Sequence, residues 1–188
     1  MGCLQALKGL PQSTCETNLA GIKKVYIANY EDVDFTNVVM SGGVSNNISY
    51  VITSGISMAS GATFHAYNFA KQTGSLTTTL TKDETNGTRY YTNVVALQFS
   101  KLEARKHLEF SALAADPTAL IVVDNNDKKW LVGYDTYASA TEGTAQTGQS
   151  FDDLNGYNIS LSAQSAYLPI ELQLSDADFN AITEETEA

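Results

Sequence analysis

Basic residues are missing from the last third of this chain. Lys+Arg total 11, and every one lies at or before Lys129; the rest of the 188 residues carries none. The acids of that stretch are Asp135, Glu142, Asp152, Asp153, Glu171, Asp176, Asp178, Glu184, Glu185 and Glu187. Acids and bases balance up to Lys129, so the formal net charge of -10 resides wholly after it. Such a one-sign block reads either as a solvated tail or as a surface that repels polyanions. Both exclude tight nonspecific binding to nucleic acid, which needs clustered Lys and Arg against phosphates.

Charge is scarce altogether. Charged residues make up 17%, below the roughly 25% of an average soluble chain. A surface rich in Thr, Ser and Asn tolerates burial against neighbours. Cysteine is nearly absent: Cys3 and Cys15, both in the first fifteen residues. Two cysteines without two further ligands make no zinc site. Without a secretion signal they are expected as free thiols, with a disulfide across the arm as the alternative. No run of about 18 apolar residues exists to span a membrane. Met1 to Pro11 lacks the apolar stretch of a signal peptide. The Met-Gly-Cys start carries Ala6 where myristoylation wants Ser or Thr.

What is present alternates. A length of 188 residues suits one domain with a real core. Residues 1–21 read as an N-terminal arm, with Leu4, Leu7 and Leu10 spaced for a helical turn before Pro11. Strands are expected at Ile22–Tyr30, Phe35–Met40, Ile48–Thr53, Thr63–Ala70, Leu76–Lys82, Thr88–Ser100, Thr118–Asp124, Lys129–Tyr134, Tyr157–Ala163 and Tyr167–Leu174. Asn86-Gly87 and Asn155-Gly156 read as tight turns. Pro169 places the last strand at an edge or bulge. Asp135–Ser150 reads as a loop. One helix is expected over Lys101–Asp116, ended by Pro117. Leu108 and Ala112 lie on one side of it, with Phe110 and Leu113 nearly opposite. That pattern predicts two contacts, the second with another subunit. The chain thus divides into the arm, a β-sandwich or barrel over 22–174 with one flanking helix (about 101–116), and an acidic segment over 175–188 that is helical or loose. The fold class is mainly β.

The search for chemistry fails at each place where chemistry could reside. His65 and His107 have no recognisable partner nearby in sequence. Nucleophile elbow, phosphate loop and dinucleotide fingerprint are all missing. Asp124-Asn-Asn-Asp127 starts like a calcium loop, but Lys129 and Asp135 stand where Gly and Glu are required. Asp152 and Asp153 supply half of a glycosidase pair without an identifiable second half. The triplets at Asn47, Asn86 and Asn158 fit the glycosylation pattern, as Asn- and Thr-rich chains do by chance. No catalytic, cofactor-binding or metal-binding residue is assigned, and a non-enzyme is expected.

Three stretches carry a resemblance: Cys3-Leu-Gln-Ala-Leu-Lys-Gly with Asn18-Leu-Ala-Gly-Ile-Lys-Lys-Val-Tyr-Ile-Ala; Leu120-Ile-Val-Val-Asp-Asn-Asn-Asp-Lys-Lys-Trp-Leu-Val-Gly; and Asp152-Asp-Leu-Asn-Gly-Tyr-Asn-Ile-Ser-Leu ahead of Ala166-Tyr-Leu-Pro. The chain resembles structural proteins of tailed bacteriophages infecting Bacteroidales, of the tail tube or neck-ring kind. The resemblance implies a tail-tube-like fold in a virion protein, assembled in the host cytoplasm. It implies homo-oligomeric, hexameric rings that stack and join other tail or neck proteins. Genome DNA would pass through the channel without specific binding, and neither membrane nor cofactor is involved. Two alternatives stay open: another virion component (neck ring, head-completion or capsid-decorating protein), or a carbohydrate-binding β-sandwich of a gut bacterium.

Overall fold

A computed structural model describes residues 18–41 and 51–185. Cys3, Cys15, the leucines of the expected arm, Asn47 and the start of the strand expected at Ile48 lie outside the described residues. The elements run β1 (Ile22–Asn29), β2 (Val33–Asp34), β3 (Val39–Ser41), β4 (Val51–Ser54), β5 (Ser57–Met58), β6 (Phe64–Tyr67), β7 (Gly74–Asp83) and β8 (Thr88–Ser100). Then come α1 (Ala104–Ala115), β9 (Thr118–Asp124), β10 (Lys129–Val132), β11 (Ser139–Gln146), β12 (Gly156–Ser165), β13 (Ile170–Leu172), α2 (Asp176–Ile182) and β14 (Thr183–Glu184).

The chain is mainly β, as expected, with a flanking helix. An eight-stranded sheet in the order β14-β6-β1-β9-β10-β13-β4-β3 curls into a half-barrel, and a four-stranded sheet in the order β11-β12-β8-β7 packs against it. Between the sheets lie Val25 and Ile27 of β1, Leu120 and Val122 of β9, Val95 and Leu97 of β8, and Ile159 and Leu161 of β12. The opposite face of the larger sheet has its own core. Tyr26, Ile52, Phe64, Ile121, Leu131 and Leu172 meet Phe179 and Ile182 of α2 there. β1 and β9 are therefore covered on both faces, which is why Ala-Leu-Ile-Val-Val reads as a continuous apolar run rather than an alternating one.

Several sequence expectations need correction. The segment Asp135–Ser150 is not a loop throughout, because β11 occupies Ser139–Gln146 and pairs antiparallel with β12. Its side chains are mostly exposed, so no apolar alternation marks it. Asn155-Gly156 is not the turn; Gly156 opens β12, and a Cβ there would sit 2.0 Å from the Phe99 carbonyl oxygen. The bend is made earlier, where Gly148 takes φ +72. Asn86-Gly87 does lie between β7 and β8, but Asp83 pairs with Thr88, leaving a four-residue loop in which Gly87 alone is left-handed. β13 is not an edge: it lies between β10 and β4, and Pro169 stands just before it, where no ladder hydrogen bond is lost.

Phe35–Met40 contributes only the start of β3, since Thr36 and Asn37 turn after Asp34, whose carboxylate accepts from the Thr36 N–H at 2.8 Å. The helix begins at Ala104 rather than Lys101, because Lys101 takes φ +67 and Glu103 is extended. Phe110 and Leu113 turn inward and Leu108 stays 72% exposed, so the described residues cover only one of the helix's two apolar sides. The described part of the acidic C-terminal segment, residues 175–185, is built into the fold, and 186–188 lie outside the described residues. Ser175 caps α2 by accepting from the Asp178 N–H, Phe179 and Ile182 are buried, and β14 adds a parallel edge to β6.

Candidate functional site

Two places merit scrutiny: a groove beside α1, and the outer surface of the four-stranded sheet. The groove, about 680 Å³, lies between α1, β6 and the residues of β14. His65 lines it, as does Tyr157, the partner of His107, and neither histidine's partner could be told from sequence proximity. His65 Nδ1 stands 3.5 Å from a Glu184 carboxylate oxygen, and Thr63 donates to the same carboxylate at 3.1 Å. His107 shares a short hydrogen bond with the Tyr157 hydroxyl, which also donates to the Glu103 carbonyl at 3.3 Å. Tyr67 donates to Glu109 at 2.9 Å. Burial, reinforced by that carboxylate, pushes the Tyr67 phenol well above its ordinary value, so it holds its proton. These groups meet two by two. Tyr157 is 2% exposed, and its bond to His107 ties α1 to β12 as a buried strut.

The other candidates resolve into turn chemistry. In Asp124–Asp127, one Asp124 oxygen accepts from the Asn126 and Lys128 N–H groups and the other from the Trp130 indole at 3.1 Å. Asn125 and Asn126 hold the strand leading into β1 through Ala20 and Leu19. Asp127 pairs with Lys23 at 2.8 Å, and that hydrogen-bonded pair lowers the pKa of its carboxyl. Asp153 accepts from the N–H groups of Ser150 and Gln149, each at 2.8 Å, which also lowers its pKa and shapes the loop before β12. Among the described residues no three His, Cys, Asp or Glu side chains converge as a metal would require. Among them, too, no helix is long and apolar enough to cross a membrane.

Among the described residues, several acids of the last third are engaged by earlier parts of the chain or by the backbone. Glu185 meets Lys24 at 2.5 Å and accepts from Tyr26 at 2.6 Å. Glu171 meets Lys128 at 2.6 Å. Asp135 holds Ser165 and the Ala166 N–H. Sequence segregates the charges; folding brings Glu171 and Glu185 back to lysines that precede them.

The four-stranded sheet has a different character. β8 spans thirteen residues and is paired over its length, by β7 from Thr88 to Leu97 and by β12 from Tyr91 to Ser100. Alternation sends Val95 and Leu97 inward and leaves the other face to Tyr90, Thr92, Val94, Ala96 and Gln98. The directly opposed residues continue that face: Ser75, Thr77, Thr79 and Thr81 on β7, and Asn158, Ser160, Ser162 and Gln164 on β12. β11 adds Ser139, Glu142, Thr144 and Gln146. Among the described residues Glu142 and the rim residue Asp83 are the charged members, and no Lys or Arg is present. Among the described residues the sheet also ends in two unpaired edges, β11 and β7. β11 is protected by a bulge between Ala140 and Glu142 and by Glu142 itself. β7 carries no charge, proline or bulge from Gly74 to Thr81. An open, uncharged edge of that length is what monomeric proteins usually avoid.

Sequence reading singled out the β7–β8 hairpin as a long Thr- and Tyr-rich unit. It missed β11, and with it the second free edge. No family model, curated protein or solved structure matches this chain.

Proposed function

We propose that this protein is a structural, non-catalytic component of a tailed-phage virion: a tail tube subunit that closes into hexameric rings, which stack around a channel for DNA. The observation that carries the reading is the four-stranded sheet whose two edge strands have no partner among the described residues, the β7 edge being also regular and uncharged from Gly74 to Thr81. Successive strands in it are antiparallel, so β7 and β11 run in opposite directions. Rotating a copy about an axis along the strands brings its β11 beside β7 of its neighbour in antiparallel register. The sheet then continues from copy to copy and the free edges disappear.

In that arrangement a face rich in hydroxyl and amide side chains, with Glu142 and the rim residue Asp83 as its charged members among the described residues, lines the channel. DNA passes because no lysine or arginine is there to hold phosphates, rather than because carboxylates repel it. Of the described acids of the last third only Glu142 stands on this face, so the idea of an acidic lining gives way to a nearly neutral one.

Light scattering with electron microscopy tests it. Rings or tubes should form from the purified chain as concentration rises. A protein that stays monomeric at high concentration and binds glycans would sink the proposal in favour of the carbohydrate-binding alternative.

A further inference from the structure

The two ends of the four-stranded sheet carry complementary exposed groups. At one end β7 and β8 run on past β12. The β12 pairing stops at Ser165 opposite Tyr91, while β7 and β8 continue from the Leu80–Tyr91 pair to Asp83–Thr88. This overhang is roughly 10 Å long at a rise of about 3.3 Å per residue. Its inner face no longer has the larger sheet beneath it. Leu80, opposite Tyr91, is 52% exposed, and the next pair on that face is Lys82 opposite Arg89. Lys82 is engaged by Glu84 at 2.7 Å, and the Asp83 carboxylate is used by the turn, accepting from the N–H groups of Thr85 and Asn86. Arg89 is exposed and has no acidic partner among the described residues. Tyr167 and Leu168, also about half exposed, follow β12 at this same end.

At the other end, residues 147–155 join β11 to β12. Here Phe151 is fully exposed and Asp152 beside it is exposed as well. Asp153 is consumed in holding the loop, so Asp152 is the carboxylate left facing outward. A fully exposed phenylalanine on a loop its own neighbour has shaped is a contact residue awaiting its contact.

We infer that copies of this chain join head to tail along the strand direction. Phe151 of one copy would seat on the Leu80–Tyr91 pair of the next, with Asp152 meeting Arg89. Each copy carries one of each end, so the contact is heterologous and repeats without closing. The apolar seat supplies most of the affinity and the charge pair fixes the register. The inference rests on the ring reading only in so far as it names how one ring meets the next; the contact itself needs just two copies.

The test compares the full-length protein with Phe151→Ser, Asp152→Lys, Arg89→Asp and the swap Asp152→Arg with Arg89→Asp, by electron microscopy and light scattering across concentration. All sites are exposed, so thermal unfolding should be unchanged; Asp152→Lys, which removes no apolar surface, keeps the test open if Phe151→Ser disturbs its loop. The single variants should raise the concentration needed for stacking about tenfold or more, leaving unstacked rings. The swap should recover part of the loss. Tubes that form equally well in Phe151→Ser and Arg89→Asp would overturn the contact and leave the ring reading standing. Linear chains without rings, abolished by Phe151→Ser, would keep the contact and overturn the ring. A wild-type protein that never associates would overturn both.

Discussion

The eight-stranded sheet is covered on both faces, whereas the four-stranded sheet leaves one face and two edges in water. The first is built from apolar runs such as Thr118–Asp124, where five consecutive residues are buried. The second is built from alternating strands such as Gly156–Ser165, in which every second residue is buried. The contrast separates two jobs. The larger sheet carries both apolar cores; the smaller one presents a surface rich in hydroxyl and amide groups and without Lys or Arg among the described residues.

Changes can be ranked by how hard they strike this division. Leu120→Ala, at the fully buried centre of β9, should destabilise the monomer by about 2–5 kcal/mol in denaturant titration. Gly156→Ala attacks the seam of the smaller sheet, since its Cβ would fall on the Phe99 carbonyl oxygen; a loss of about 1–3 kcal/mol is expected from the forced backbone shift. If it costs as little as a surface substitution, the β8–β12 seam is softer than its geometry indicates.

Glu185→Gln acts on the larger sheet's edge. The hydrogen bond from Lys24, then that from Tyr26, holds the Glu185 carboxyl below its ordinary 4.5. Its folded pKa is thus lower than its unfolded one, so the contribution is present in full above about pH 5 and is lost as pH falls through the folded value. The side chain is 64% exposed, and solvent screening limits the effect to about 0.5–1 kcal/mol. Amide exchange at β14 should speed up in the variant at pH 7 and converge with wild type in acid.

The smallest effect on the monomer should come from Thr77→Lys with Thr79→Lys on β7. Both sites are exposed, so stability should move by no more than about 0.5 kcal/mol each. Assembly measured by light scattering should nevertheless be suppressed, because charge on an open strand opposes pairing. Unimpaired rings in this variant would show that β7 is not the joining edge.

Where sequence reading succeeded, the signal was local. β8 and β9 were legible to the residue because alternation and an apolar run need no knowledge of neighbours. Where it erred, the deciding fact was a distant contact. β11 exists because β12 offers it hydrogen bonds, not because its own residues favour a strand. β13 tolerates Pro169 in mid-sheet because the proline stops one residue short of the ladder. The partners of His65 and Tyr26, Glu184 and Glu185, lie more than a hundred residues away along the chain and leave no trace in local spacing.

The sequence by itself determined that the protein is β-rich, poor in charge, and acidic only after Lys129. Periodicity and composition are properties of the chain and survive any arrangement of it. The tertiary structure alone decided where those charges go. It set Lys24 against Glu185 and Lys128 against Glu171, so the acidic third is partly answered by the basic residues before it. It also left the nearly neutral face of the four-stranded sheet open. Coulomb interactions act over a few ångströms of space rather than along the sequence, so a charge map drawn along the chain had to be redrawn once the chain was folded.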